Sequence, residues 1–272
     1  MGSNPTRSAK VDIQKNKNLK EENVITEKRK ETIKLIIAVT ILALVLLGVA
    51  IAMIKYEVEG ETNMPYQLSK IVIIGTVEGV ETSEKSKEKW NFDIYQNNDV
   101  YFYIDQNANN IKEDELIKSV KISNIQIKNA PQKGTIKTYM PNSEAGRLYT
   151  YDEQFLVEEK LEYKGSSSSN SSNLEIGSKG GQVLIRFSNS GIGNYTSDKD
   201  KEIVHNSTLL KKIKVANEEI KFDVTCDFII ETTKAKYQAE VALELPTGNL
   251  DEEENCYIEK TDMKDIVFKR VK

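Results

Sequence analysis

Histidine, tryptophan and cysteine are nearly missing from this 272-residue chain, which has one His, one Trp and two Cys. One histidine and two cysteines thirty residues apart do not give the ligand spacing of a zinc centre. His205, in "KEIVHNSTLL", has Ser207 and Thr208 close by in sequence. Neighbours on one strand point apart, however, and a nucleophile needs a base within hydrogen-bond reach plus an orienting carboxylate. No G-x-S-x-G turn occurs, so His205 reads as a surface or loop residue. Cys226 and Cys256 are too few for a disulfide scaffold. Cys226 falls on the apolar face of a strand and is expected to be a small buried hydrophobe. A Cys226–Cys256 bridge stays open as the alternative, worth about 3–4 kcal/mol. Trp90 alone does not line an aromatic cleft, and it reads as core. The net charge of −4, with no basic stripe interleaved with aromatics, argues against nucleic acid.

Charge is also absent from one long run. "LIIAVTILALVLLGVAIAMI", residues 35–54, contains no charged side chain, and thirteen of its twenty residues are Leu, Ile or Val. At about 1.5 Å per residue it reaches roughly 30 Å, the thickness of a bilayer core. It is apolar on every face, unlike an amphipathic core helix, and so predicts a transmembrane helix. Residues 1–34 hold nine Lys/Arg and five Asp/Glu, with Lys28, Arg29, Lys30 and Lys34 at the boundary. Residues 55–272 keep 29 of the 38 basic and 37 of the 42 acidic residues. The positive-inside rule therefore predicts a cytoplasmic N-terminus and an extracytoplasmic 55–272, with the lipid bilayer as first partner. The rival is a signal peptide cleaved after "AIA" at 50–52, but its basic region would be 34 residues long. The Gly2 myristoylation pattern in "MGSNPT" and the Gly48-x-x-x-Ala52 spacing are short patterns, and they read as a tail start and a chance spacing.

Residues 1–34 read as a disordered basic tail. Beyond the span, period two dominates. In "IKFDVTCDFII", Ile220, Phe222, Val224, Cys226, Phe228 and Ile230 share one face. In "YQAEVALEL", Tyr237, Ala239, Val241, Leu243 and Leu245 do the same. The "ETTKAK" joint between them predicts an antiparallel hairpin. Further strands are expected at 70–78, 90–96, 99–104, 117–128, 134–140, 182–188 and 265–271, with Asn97–Asn98 as a turn between two of them. Short helices are expected at 112–117 and 207–211. The fold class is mainly β: an extracytoplasmic antiparallel β-sandwich, Ig-like in general architecture, after one transmembrane α-helix. "GSSSSNSSN" at 165–173 either divides two modules, 60–164 and 174–272, or is a long loop within one sandwich.

The strings "KWNFDIYQNNDVYFYI", "STLLKKI" and "KTDMKDIVFKR" accompany this plan of basic tail, span and strand-rich outer part. Together they resemble uncharacterised single-pass membrane-anchored extracytoplasmic proteins of low-GC Gram-positive (clostridial-type) bacteria. The resemblance covers most of 55–272, implies no activity and transfers no site.

One cation site is suggested by spacing. In "DQNANNIKEDEL", Asp105, Asn107 and Asn109 occupy positions 1, 3 and 5 of an EF-hand-like loop, and Glu113 occupies position 9. Leu116 stands where the bidentate glutamate belongs, so calcium is the weaker reading and a polar turn the stronger. "DEEEN" at 251–255 reads as a solvated loop. The N-x-S/T sequons at Asn170, Asn194 and Asn206 matter only in a eukaryotic secretory route. The expected function is a membrane-anchored, non-enzymatic binding or structural protein of the bacterial cell envelope, without a cofactor. Its partners would be cell-wall polymer or another envelope protein. The alternatives are a carboxylate-based cell-wall hydrolase, which needs two converging acidic residues, and an accessory subunit of an envelope complex.

Overall fold

A computed structural model describes residues 29–53, 64–82, 87–142, 147–166, 174–250, 252 and 255–271. The basic tail up to residue 28 and the serine run 167–173 lie outside them. The chain divides into two compact units, Met1–Tyr56 and Glu57–Lys272. In the first, helix α1 (Arg29–Met53) is long and apolar enough to cross a membrane. It begins six residues before the uncharged run, because nothing in "RKETIK" breaks a helix. The hydroxyl of Thr40 donates to the carbonyl of Ile36 at 2.8 Å, which satisfies the one polar side chain of the uncharged run.

The second unit is mainly β. Its strands are β1 (Tyr66–Glu81), β2 (Lys89–Gln106), β3 (Ile117–Lys128), β4 (Thr135–Tyr139), β5 (Lys160–Gly165), β6 (Glu175–Ile176), β7 (Gly181–Asp198), β8 (Phe222–Thr232), β9 (Lys236–Leu245), β10 (Cys256–Lys260) and β11 (Lys269–Val271). They form a five-stranded sheet, β10-β1-β2-β7-β4, and a six-stranded sheet, β11-β9-β8-β3-β5-β6. All pairings are antiparallel except the two-residue β5–β6 edge. Strands from before and after the serine run pair directly, β2 with β7 and β3 with β8. Both of these stretches fall within the one compact unit Glu57–Lys272.

Both sheets turn one face to a common core. Ile71, Phe102, Ile104, Ile185 and Phe187 come from the five-stranded sheet, and Val120, Ile122, Phe228 and Val241 from the other. The Phe102 and Phe228 rings meet across the gap at 4.9 Å. The β8–β9 hairpin has the predicted faces, with Cys226 opposite Val241 and Phe228 opposite Ala239, all buried. Burial pushes the Cys226 thiol up to about 12. Cys226 sits in this main core and Cys256 in a smaller one under the short helix α2 (Thr208–Ile213); the two are not bridged.

Four expectations are overturned. Asn97–Asn98 is not a turn. β2 is one strand of 18 residues, roughly 60 Å long, and it runs straight through the pair. The amides are placed there because β2 and β7 cross both cores. Between the two, Gln96 and Asn98 fill the seam and bond to each other, Nε2 to Oδ1 at 2.9 Å and Nδ2 to Oε1 at 3.2 Å. The β2–β7 register shifts beside Gln96, where Gly191 of β7 takes a φ of 73° that favours glycine. Residues 112–117 form no helix; they turn into β3. Only the last three residues of 265–271 are strand. Trp90 is half-buried at the rim of the smaller core, with the Lys199 ammonium 4.4 Å from its ring centre. β5, β6 and β10 were not expected, since none of them shows a long alternating run.

Candidate functional site

The five-stranded sheet has a second face, turned away from the shared core, and register fixes what it carries. Tyr95 of β2 lies opposite Glu78 of β1, and Asp99 opposite Arg186 of β7. Arg186 in turn lies opposite Tyr139 of β4. Seven of the twelve tyrosines gather here or in the segment above: Tyr95, Tyr101, Tyr103, Tyr139, Tyr149, Tyr151 and Tyr257. After β4 the chain folds back over its own edge. Met140 N–H donates to the Phe155 carbonyl and Val157 N–H to the Thr138 carbonyl, each at 2.9 Å. This lays Tyr149, Tyr151, Phe155 and Leu156 onto Tyr139 and Leu184.

Beneath that cover lies a charged cluster. The Arg186 guanidinium grips Asp99 with two bonds, Nε to Oδ1 at 2.6 Å and Nη2 to Oδ2 at 2.9 Å. Its Nη1 is 3.7 Å from the Glu78 carboxylate. The Arg186 and Asp99 side chains are only 13% and 11% exposed. Burial alone would lower the proton affinity of Arg186, but its bonds to Asp99 and the surrounding negative charge outweigh this and raise it. Glu78 also accepts from the Tyr151 hydroxyl and, at 2.8 Å, from Asn97 Nδ2. The Tyr149 ring stacks on the guanidinium, 4.4 Å from its central carbon. Burial first, then the Asp99 charge for Tyr149 and the Glu78 charge for Tyr151, push both phenols far above their ordinary value, so they stay neutral hydroxyls.

Beside the cluster opens a cavity of about 650 Å³. Thr76, Glu78 and Gly79 form one wall, Arg147–Tyr151 another, and Arg186, His205 and Asn255 complete it. His205 is placed by its own Nδ1, which accepts the Gly79 N–H at 3.2 Å, and by edge contact with Phe92 at 5.8 Å. That bond leaves Nε2 as the ring's donor. The hydroxyls of Tyr149, Thr150 and Ser188 and the Oδ1 of Asn97 are buried without a hydrogen-bond partner.

The sequence-predicted cation residues do not converge here. Asp105 is an exposed residue of β2 opposite Gln67. The Asn107 Oδ1 accepts the Asn109 N–H at 3.1 Å, and its Nδ2 donates to the Met64 carbonyl at 3.2 Å. Glu113 is exposed, whereas the buried carboxylate of that loop is Glu115, which accepts the Thr232 hydroxyl at 2.6 Å. Among the described residues no group of three His, Cys, Asp or Glu side chains is placed to hold a metal. Most of the acidic cluster at 251–255 lies outside the described residues.

The cluster itself, Glu78, Asn97, Asp99, Tyr149, Tyr151 and Arg186, was not singled out from sequence. Two signals mark it. Arg186 interrupts an apolar strand, "QVLIRFS", and Asp99, Tyr101 and Tyr103 alternate with Val100, Phe102 and Ile104. Tyrosine on the nominally wet face of a strand marks a face that is covered or used.

Comparison with known proteins returns no match: no family model, no curated protein and no solved structure.

Proposed function

We propose that this chain is a membrane-anchored binding protein of a bacterial cell envelope, an Ig-like β-sandwich held outside the membrane by a single span with its basic tail in the cytoplasm. The apolar α1, the Lys/Arg excess before it and the acidic balance after it support the placement. The resemblance to membrane-anchored proteins of low-GC Gram-positive bacteria points the same way. The observation that carries the binding reading is the state of the charges beside the cavity. Asp99 is clamped by Arg186 through both of its oxygens, and the Oε1 of Glu78 is shared by Tyr151, Asn97 and Arg186. Carboxylates so committed position and recognise. A general acid or base must instead be at liberty to exchange its proton with substrate. The hydrolase alternative would need a second carboxylate in the cavity wall; among the described residues Glu78 is the only one there.

Two measurements test the reading. Protease added to intact cells stripped of their wall should digest residues 55–272 and spare the tail. A protected C-terminal part would overturn the orientation, and a mature N-terminus at Met53 would overturn the anchor. The full chain in detergent should co-sediment with purified wall polymer and leave its reducing ends unchanged. New reducing ends, abolished by Glu78→Gln, would establish the hydrolase instead.

A further inference from the structure

The cover over the Arg186 face is fastened unevenly. Its return end is tied to the edge of β4 by main-chain bonds, Met140 N–H to the Phe155 carbonyl and Val157 N–H to the Thr138 carbonyl. Its middle is held differently. Among the described residues, no main-chain bond joins residues 147–152 to a strand. Side chains hold that stretch to the sheet. The Tyr149 ring stacks on the Arg186 guanidinium. The Tyr151 hydroxyl donates to Glu78 and accepts from Asn97 Nδ2 at 2.9 Å. The Tyr151 ring meets Tyr95 and Tyr139, with centroids 4.4 and 5.8 Å away. The Glu78 side chain is 34% exposed, so water competes for the Tyr151 bond.

The seam beneath this stretch is imperfect. Asn97 and Ser188 lie opposite each other on β2 and β7, one row along from Asp99 and Arg186, and both are fully buried. Six buried side-chain atoms have no hydrogen-bond partner among the described residues. Four of them, Asn97 Oδ1, Ser188 Oγ and the hydroxyls of Tyr149 and Thr150, belong to the cover or to the face it lies on. A closed cover denies these groups the water they would bond, and an open one restores it. Burial of the two tyrosine rings favours closure. The two effects oppose each other at this seam, whereas in β2 and β7 burial and ladder bonds act together.

We propose that residues 147–152 form a strap that opens while both sheets stay folded, with Tyr149 and Tyr151 as the internal occupants of the Arg186 and Glu78 face in its closed state. Opening uncovers Asn97, Ser188 and the Arg186–Asp99 pair without unfolding the strands that carry them.

Thiol labelling of the full chain in detergent tests this. Ser188→Cys places a thiol under the strap, and native Cys226 in the main core is the internal reference, reached only when the sandwich unfolds. Peptide mapping separates the labelled positions. At about pH 8 the introduced thiol should react at least a hundredfold faster than Cys226. Tyr151→Phe, which removes the donated bond to Glu78, should speed that reaction about tenfold and leave the Cys226 rate unchanged. Equal rates at the two thiols mean that the cover opens only with the whole sandwich, and they overturn the proposal. An introduced thiol that reacts fast but is indifferent to Tyr151→Phe overturns it too, because the strap is then not what gates access. If Ser188→Cys fails to fold, nitration of the unmodified chain decides. Tyr149 and Tyr151 should be nitrated at least tenfold faster than Tyr163, which is equally buried and bonded to Leu184 in the main core. Nitration of all three at one rate overturns the strap.

Discussion

Arg186 and Asp99 face each other across β7 and β2, and the guanidinium holds the carboxylate through two bonds of 2.6 and 2.9 Å on the covered face of the sheet. Removing one partner strands a charge where little water reaches it. Asp99→Ala should therefore cost about 3–5 kcal/mol, whereas replacing both partners by apolar residues, Asp99→Leu with Arg186→Met, should cost less. Urea denaturation of the two variants checks this. Equal losses would mean that the pair is solvated and the cover loose.

The two faces of the hairpin should respond very differently. Phe228 is fully buried against Phe102 and Phe268, so Phe228→Ala should cost about 3–5 kcal/mol. Its neighbour Asp227 is half-buried on the opposite face and accepts only a long bond of 3.4 Å from Asn124. Asp227→Ala should cost under about 1 kcal/mol. Equal damage from both would contradict the register.

Asn98 distinguishes a strand from a turn. In a turn, Asn98→Gly would be tolerated or stabilising. In the middle of β2 it removes both bonds between the buried Gln96 amide and Asn98, leaving Gln96 only its bond to the Asn97 carbonyl, and should cost about 1–3 kcal/mol, plus roughly 1 kcal/mol for glycine in a strand. Thermal denaturation of Asn98→Gly decides between them.

Alkaline pH should unfold the protein. The Cys226 thiol rises from 9.0 to about 12 on folding because burial penalises the thiolate. A value raised in the folded state means that its contribution is whole below pH 9 and is lost as pH climbs toward 12. Tyr149, Tyr151 and Tyr163, all raised from 10.0 chiefly by burial, add losses from about pH 10 upward. The denaturant midpoint should fall steadily above about pH 9. At about pH 8 Cys226 should resist thiol reagents until the protein unfolds. A flat profile to pH 11, or a thiol that reacts as fast folded as unfolded, would contradict the burial.

Calcium should leave the melting temperature unchanged. Binding at a hundredfold excess over the dissociation constant would add about 2.7 kcal/mol. A calcium-dependent rise abolished by Asp105→Ala would establish the EF-hand-like reading instead.

The sequence by itself determined the local, periodic features. An uncharged run of twenty residues forms a helix in any apolar setting, because every backbone group is satisfied within it. Unbroken alternation over 220–230 and 237–245 leaves one register that buries Phe228, Cys226 and Val241 together. The path through Asn97–Asn98 was not legible. Amides favour turns locally, and only the seam between two cores, each assembled from distant strands, makes that position interior. The site was hidden for the same reason. Glu78, Asp99, Tyr151 and Arg186 come from four separate stretches, and alternation marks their strand face as solvent. The fold-back after β4 covers that face, and desolvation then turns ordinary surface charges into one interlocked cluster beside a cavity. Which face is covered, and by what, depends on contacts between strands up to a hundred residues apart, and no local pattern encodes them.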